Sequence, residues 1–95
     1  SSVWILLKEG VIKKIYNLDK IKKQRCFIGI LQRFNKQDRV KRSFIGTEKQ
    51  VFARIYLSSQ NKDQLIRAIH YIHKNLKILD QKNNNLILDK YFRHN

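Results

Sequence analysis

Residues 51–76 read VFARIYLSSQNKDQLIRAIHYIHKNL, a strand followed at once by a helix. In the first part Val51, Ala53, Ile55 and Leu57 alternate with Phe52, Arg54, Tyr56 and Ser58. A period of two places each set on its own face of a strand spanning Gln50 to Ser58. In the second part Leu65, Ile69, Ile72 and Leu76 recur at helical spacing, with Ala68 beside them. That is a one-sided apolar stripe, suited to lie on a sheet. Asn61 stands where it can cap the helix, and Gln64 follows three residues later in a capping-box pattern. A strand feeding a helix of this kind predicts a layered α+β domain.

Upstream, Val3 to Leu7 is an apolar run read as a buried strand, and Val11 to Tyr16 as a second. Gly10 between them predicts a hairpin, because glycine supplies the positive φ of a tight turn. Asn17 is expected to cap a short helix over roughly Leu18 to Gln24, its side-chain oxygen accepting a free backbone N–H. Cys26 to Phe34 is apolar on both faces and predicts a central strand. Asn35 to Arg42 is polar and reads as a loop. Downstream, Lys77–Asp80 and Leu86–Leu88 predict two strands joined by a turn through Asn83, Asn84 and Asn85. Without the first strand the order is β-α-β-β-α-β. The expected fold is therefore a ferredoxin-like core with an extra N-terminal strand and a C-terminal hairpin strand.

Ninety-five residues make one domain, with room for one modest core. At 42% hydrophobic and 29% charged the chain is globular, and it has no proline and three glycines, so no linker stands out. Ser1-Ser2 reads as a candidate remnant of a cleaved tag. The longest apolar run is too short to span a bilayer. Cys26 is the single cysteine, which excludes an internal disulfide and fits a reduced, cytoplasmic setting. The net charge is +14, but residues 1–48 hold 12 basic and 4 acidic groups and residues 49–95 hold 9 and 3. The excess is spread along the chain and not gathered into a stripe, so nucleic acid is a disfavoured partner.

Few residues invite a chemical role. His70 and His73 project from neighbouring turns, with His94 in the tail, and a metal would need another ligand. Cys26 follows Arg25 but has no identifiable base, so it is expected to pack as a small hydrophobe. Asp19, Asp38, Asp63, Asp80 and Asp89 are scattered, with no acid–base pairing. No P-loop, GxGxxG or HExxH occurs. The densest basic group is Arg33, Lys36, Arg39, Lys41 and Arg42, expected to steer anions from a solvated loop. Lys41-Arg42-Ser43-Phe44-Ile45-Gly46 lacks the aromatic core of an RNA-recognition strand.

The serial order of short pieces resembles the C-terminal lobe of ATP-grasp carboxylate–amine ligases, the group of L-amino acid ligases and biotin-carboxylase-like proteins. The pieces are Gly10-Val11-Ile12-Lys13-Lys14-Ile15, Asn17-Leu18-Asp19-Lys20-Ile21, Gln37-Asp38-Arg39-Val40, Ala53-Arg54-Ile55-Tyr56, Asn61-Lys62-Asp63-Gln64-Leu65 and Leu76-Lys77-Ile78-Leu79-Asp80. They cover nearly the whole chain. The family has glycine where Asn17 stands, Gly-Asp-Glu where Gln37-Asp38-Arg39 stand, and often glycine in the asparagine-rich last turn. Its Pro-Gly-Val is replaced by Arg25-Cys26-Phe27. The resemblance implies that residues 1–95 are a non-catalytic lobe packed beside an ATP-grasp domain. That larger domain would handle ATP and magnesium, and this chain would hold no cofactor. The implied partners are the rest of the parent chain and a second copy in a homodimer.

The alternative is a stand-alone nucleic-acid-binding module on a ferredoxin-like sheet. It requires Phe52 and Tyr56 to stand exposed as stacking platforms. A small-ligand regulatory domain of the same strand order rests on fold analogy alone.

Overall fold

The strand and helix of residues 51–76 form as the periodicities dictate. In the computed structural model, which describes the backbone of residues 1–93 and the side chains through Leu88, the strand β6 is Val51–Leu57 and the helix α2 is Lys62–Asn75. The Asn61 Oδ1 accepts from the backbone N–H of Asp63 at 2.9 Å and of Gln64 at 3.3 Å, satisfying two free amides of the first turn. The reciprocal half of the capping box is altered. The Asn61 N–H donates to the Ser59 hydroxyl at 3.0 Å, and Ser59 in turn donates to Gln64 Oε1 at 3.3 Å. Along the stripe Ala68, Ile72 and Leu76 are buried, while Leu65 and Ile69 pack half-buried at its edge.

The remaining strands are β1 (Ser2–Leu7), β2 (Gly10–Val11), β3 (Lys14–Tyr16), β4 (Phe27–Gln32), β5 (Arg39–Val40), β7 (Lys77–Leu79) and β8 (Ile87–Arg93). The helix α1 is Leu18–Lys22, and single 3₁₀ turns cover Arg42–Phe44 and Glu48–Gln50. Four strands make one antiparallel sheet in the order β4-β6-β1-β8. Two small ribbons, β2 with β5 and β3 with β7, lie apart from it. The protein is thus an α+β domain with a four-stranded antiparallel sheet and, among the described residues, two α-helices.

One core serves the whole unit. Val3, Ile5 and Leu7 of β1 and Ala53, Ile55 and Leu57 of β6 are buried together with Leu18 and Ile21 of α1 and Ala68 and Ile72 of α2. Cross-strand pairs Ile5↔Ala53 and Val3↔Ile55 place these strand residues on the same sheet face.

Four expectations are corrected. The N-terminal strand is not an addition at the margin but an interior strand, paired on both sides. At its start the Leu57 N–H donates to the Ser1 C=O at 3.0 Å, and Trp4 Nε1 donates to the Ser2 hydroxyl at 3.0 Å. Gly10 does not close a hairpin, because both neighbours of β1 come from distant chain. Residues 11–16 bend instead between the two ribbons, with the Ile12 N–H on Asp38 C=O at 2.9 Å and the Lys13 N–H on Leu79 C=O at 2.8 Å. Gly10 has φ 153°, a conformation side chains rarely adopt, and a Cβ there would come 2.8 Å from Leu86 Cδ2, which would have to shift.

The strand expected to be central, β4, is an edge strand. An irregularity between Phe27 and Gly29 breaks its alternation, so Phe27 and Ile30 both pack on the core while Ile28 stands 64% exposed. Finally, the turn at Asn83–Asn85 forms, with Asn83 at φ 63°, but its flanks meet only through one bridge, Leu79↔Asn85. β7 joins β3, and β8 joins β1.

Candidate functional site

The polar residues singled out in the sequence do not converge. Arg33 borders a shallow depression with Leu31, Gln32, Val51 and Arg54. Lys36 lies in another with Ile15, Asn17, Asp19 and Lys20. Arg39 lies in a third with Lys13, Asp80 and Lys82. Lys41 sits with its Nζ 5.9 Å from the centroid of the Phe44 ring, and Lys49 at 5.8 Å from the same ring. Arg42 is exposed at the start of the 3₁₀ turn. The five basic groups are therefore divided among separate parts of the surface. The segment Asn35 to Arg42, expected to be a plain loop, carries the short strand β5, whose Val40 is buried in the core.

The carboxylates are occupied with turns and caps. Asp38 Oδ2 accepts from the Asn35 N–H at 2.7 Å. Asp80 Oδ1 accepts from the amides of Lys82 and Asn84, both at 2.9 Å. The Asn84 backbone amide is the chief cause that holds the Asp80 carboxyl below its ordinary value; desolvation opposes it, and the Asn84 side chain and Lys82 add to the lowering. Asp19 and Asp63 lie in the first turns of α1 and α2, where they complement the helix dipoles. The Asp89 side chain lies outside the described residues.

Cys26 is buried in the core, as expected of a packing thiol. Its carbonyl accepts from the Ser58 N–H at 2.8 Å, which ties the entrance of β4 to the end of β6. His70 and His73 are both exposed on α2, and among the described residues no cluster of three His, Cys, Asp or Glu could hold a metal. His94 lies outside the described residues. No helix among the described residues is long and apolar enough to cross a membrane.

Asn17 occupies the N-cap position of α1 but makes no side-chain cap bond. Its backbone is left-handed, φ 71°, and its Nδ2 instead donates to the Asn75 carbonyl at 2.7 Å, which joins the start of α1 to the end of α2. The stacking pair required by the nucleic-acid reading is not presented. Phe52 is 0% exposed, because the register shift between Ile5 and Leu6 lets both Phe52 and Ala53 turn inward. Tyr56 is partly exposed.

The outer sheet face contains a pair that sequence reasoning missed. The Arg54 guanidinium lies 4.1 Å from the centroid of the Trp4 ring, and the two residues are cross-strand partners. Its signal is the pleat of β1, which turns Trp4 and Leu6 away from buried Val3, Ile5 and Leu7; the continuous apolar run hides it. The chain matches no known family model, no curated protein and no solved structure.

Proposed function

We propose that this domain is the non-catalytic C-terminal lobe of an ATP-grasp carboxylate–amine ligase, built on a ferredoxin-like split βαβ arrangement. The observation that carries the reading is backbone conformation. Among the described residues three that are not glycine have positive φ: Asn17 at 71°, Gln37 at 74° and Asn83 at 63°. Asn17 and Gln37 stand where the family pattern has glycine, before the first helix and in the Gly-Asp-Glu turn, and Asn83 falls in the asparagine-rich last turn where the family often has one. Left-handed backbone is strained for most side chains, so a match between these sites and a family's glycines is a demanding one. The fold element of the proposal is supported by the order of the sheet strands. A helix follows the first and the third of them, and the first lies between the third and the fourth.

In this reading ATP and magnesium belong to the preceding domain, and this lobe contributes shape and charge. The dispersal of Arg33, Lys36, Arg39, Lys41 and Arg42 suits a diffuse positive field better than a built anion site. Such a field would raise the local concentration of nucleotide and carboxylate substrates at a neighbouring cleft. The coding sequence directly upstream of Ser1 tests the assignment: it should encode an ATP-grasp domain, and an unrelated sequence there would overturn it. Calorimetry of the isolated chain with Mg-ATP should give no saturable heat. A micromolar site would sink the non-catalytic role.

A further inference from the structure

The sheet has two edges, and they are not alike. β8 includes Asp89, Lys90 and Arg93 in its seven residues, whereas β4, Phe27-Ile-Gly-Ile-Leu-Gln32, has no charge at all. Charged side chains are a common way of blocking unwanted pairing at an exposed edge, and β4 lacks them. Ile28 and Leu31 are the most exposed large apolar residues among those described, at 64% and 62%. β4 hydrogen-bonds to β6 on one side and, among the described residues, has no strand on the other.

The surroundings specify the charge of an occupant. From Lys20 to Gln37 the chain carries Lys20, Lys22, Lys23, Arg25, Arg33 and Lys36 and not one carboxylate. Arg25 and Arg33 are exposed and bracket the two ends of β4. A second copy fits poorly. Antiparallel self-pairing would bring Arg25 of each copy to the Arg33 end of the other, with no acid to compensate, and parallel pairing would oppose each arginine to itself.

We propose that the outer edge of β4 accepts an extended segment of another protein chain as a fifth strand, apolar at alternate positions and carrying a carboxylate at each end. Main-chain hydrogen bonds supply the attachment, Ile28 and Leu31 supply contact area, and Arg25 and Arg33 select the acidic ends. Six strand residues span about 20 Å, which sets the occupant at roughly six to eight residues. The inference goes beyond the ligase-lobe reading and does not depend on it.

The test uses the 95-residue chain, ¹⁵N-labelled, and a synthetic peptide alternating valine and threonine between terminal glutamates. The expected result is saturable binding, with amides of Ile28 to Gln32 gaining hydrogen-exchange protection. The same peptide with terminal lysines should bind roughly two- to thirtyfold more weakly, the range for two exposed ion pairs. Ile28→Lys and Leu31→Lys should each weaken the glutamate-ended peptide, and both sites are exposed enough to tolerate the change. Absence of saturable binding at about millimolar peptide, the scale of a very weak complex, would overturn the proposal. So would equal binding of both peptides, protection confined to β8, or a dimer of the chain alone that Leu31→Lys dissolves.

Discussion

β1 and β4 are both short, uncharged, apolar strands, VWILL within one and FIGIL within the other, yet they hold opposite places in the sheet. β1 lies between β6 and β8 and buries Val3, Ile5 and Leu7 completely. β4 has a single partner and leaves Ile28 and Leu31 in solvent. Composition does not separate them. What separates them is where the ladder breaks. β1 keeps its alternation until Leu6, whereas β4 breaks near Ile28 and contains Gly29, where an added Cβ would meet nothing within 4 Å. Both strands carry a register shift, β1 in both ladders at its last residues, Ile5 to Leu7, and β4 at its first, Phe27 to Gly29.

The largest expected effect probes this difference directly. Ile5→Ala should cost about 2–5 kcal/mol, because a fully buried side chain leaves a cavity. Leu31→Ala should stay within about 0.5 kcal/mol, as usual for an exposed site. Urea denaturation of both variants checks the contrast, and equal losses would erase it.

Next comes the corner where the chain leaves β1. Gly10→Ala should destabilise by more than about 1 kcal/mol, since its φ of 153° and the 2.8 Å approach to Leu86 both oppose a side chain. Thermal melts measure it, and a neutral outcome would mean that Leu86 yields freely.

Beyond β4, Gln37→Gly should stabilise by roughly 0.5–1 kcal/mol through relief of left-handed strain, less glycine's greater entropy when unfolded. Chemical denaturation reads the change. Loss of stability instead would weaken both the backbone reading there and its match to a family glycine.

The smallest effect concerns the turn that leads back to β1. The depressed Asp80 carboxyl contributes stability above its unfolded value of about 4, and that contribution is lost as pH falls through the lower folded value. The melting temperature of Asp80→Asn should therefore lie below that of the parent protein near neutrality and converge on it in acid. A gap independent of pH would remove the ionised carboxylate from the account.

Much of the secondary structure is legible because it is local. α2 is written in the spacing of Leu65 to Leu76 and in the Asn61 cap, and α1 in Leu18 and Ile21, which are buried as their spacing requires. Pairing is not local. Nothing in Val3–Leu7 reveals that its partners are Val51–Leu57 and Ile87–Arg93, so the short path through Gly10 looks like a hairpin. The same limit explains the basic residues. Arg33 to Arg42 are neighbours in the chain, but β4 and β5 carry them to different parts of the surface. Phe52 turns inward through a register shift that a period of two does not encode.

The interior place of β1 also sets an order of events. Val3 finds Ile55 on one side and Phe92 on the other, so the first of these strands to be translated is the last to acquire both neighbours. Closing such long loops before any contact rewards them slows folding. Until β8 emerges, Val3 to Leu7 is an apolar ribbon with an unpaired flank, open to wrong partners and to chaperones. A circular permutant that begins at the Asn83–Asn85 turn would make β8 and β1 successive, and it should fold faster without gaining a single native contact.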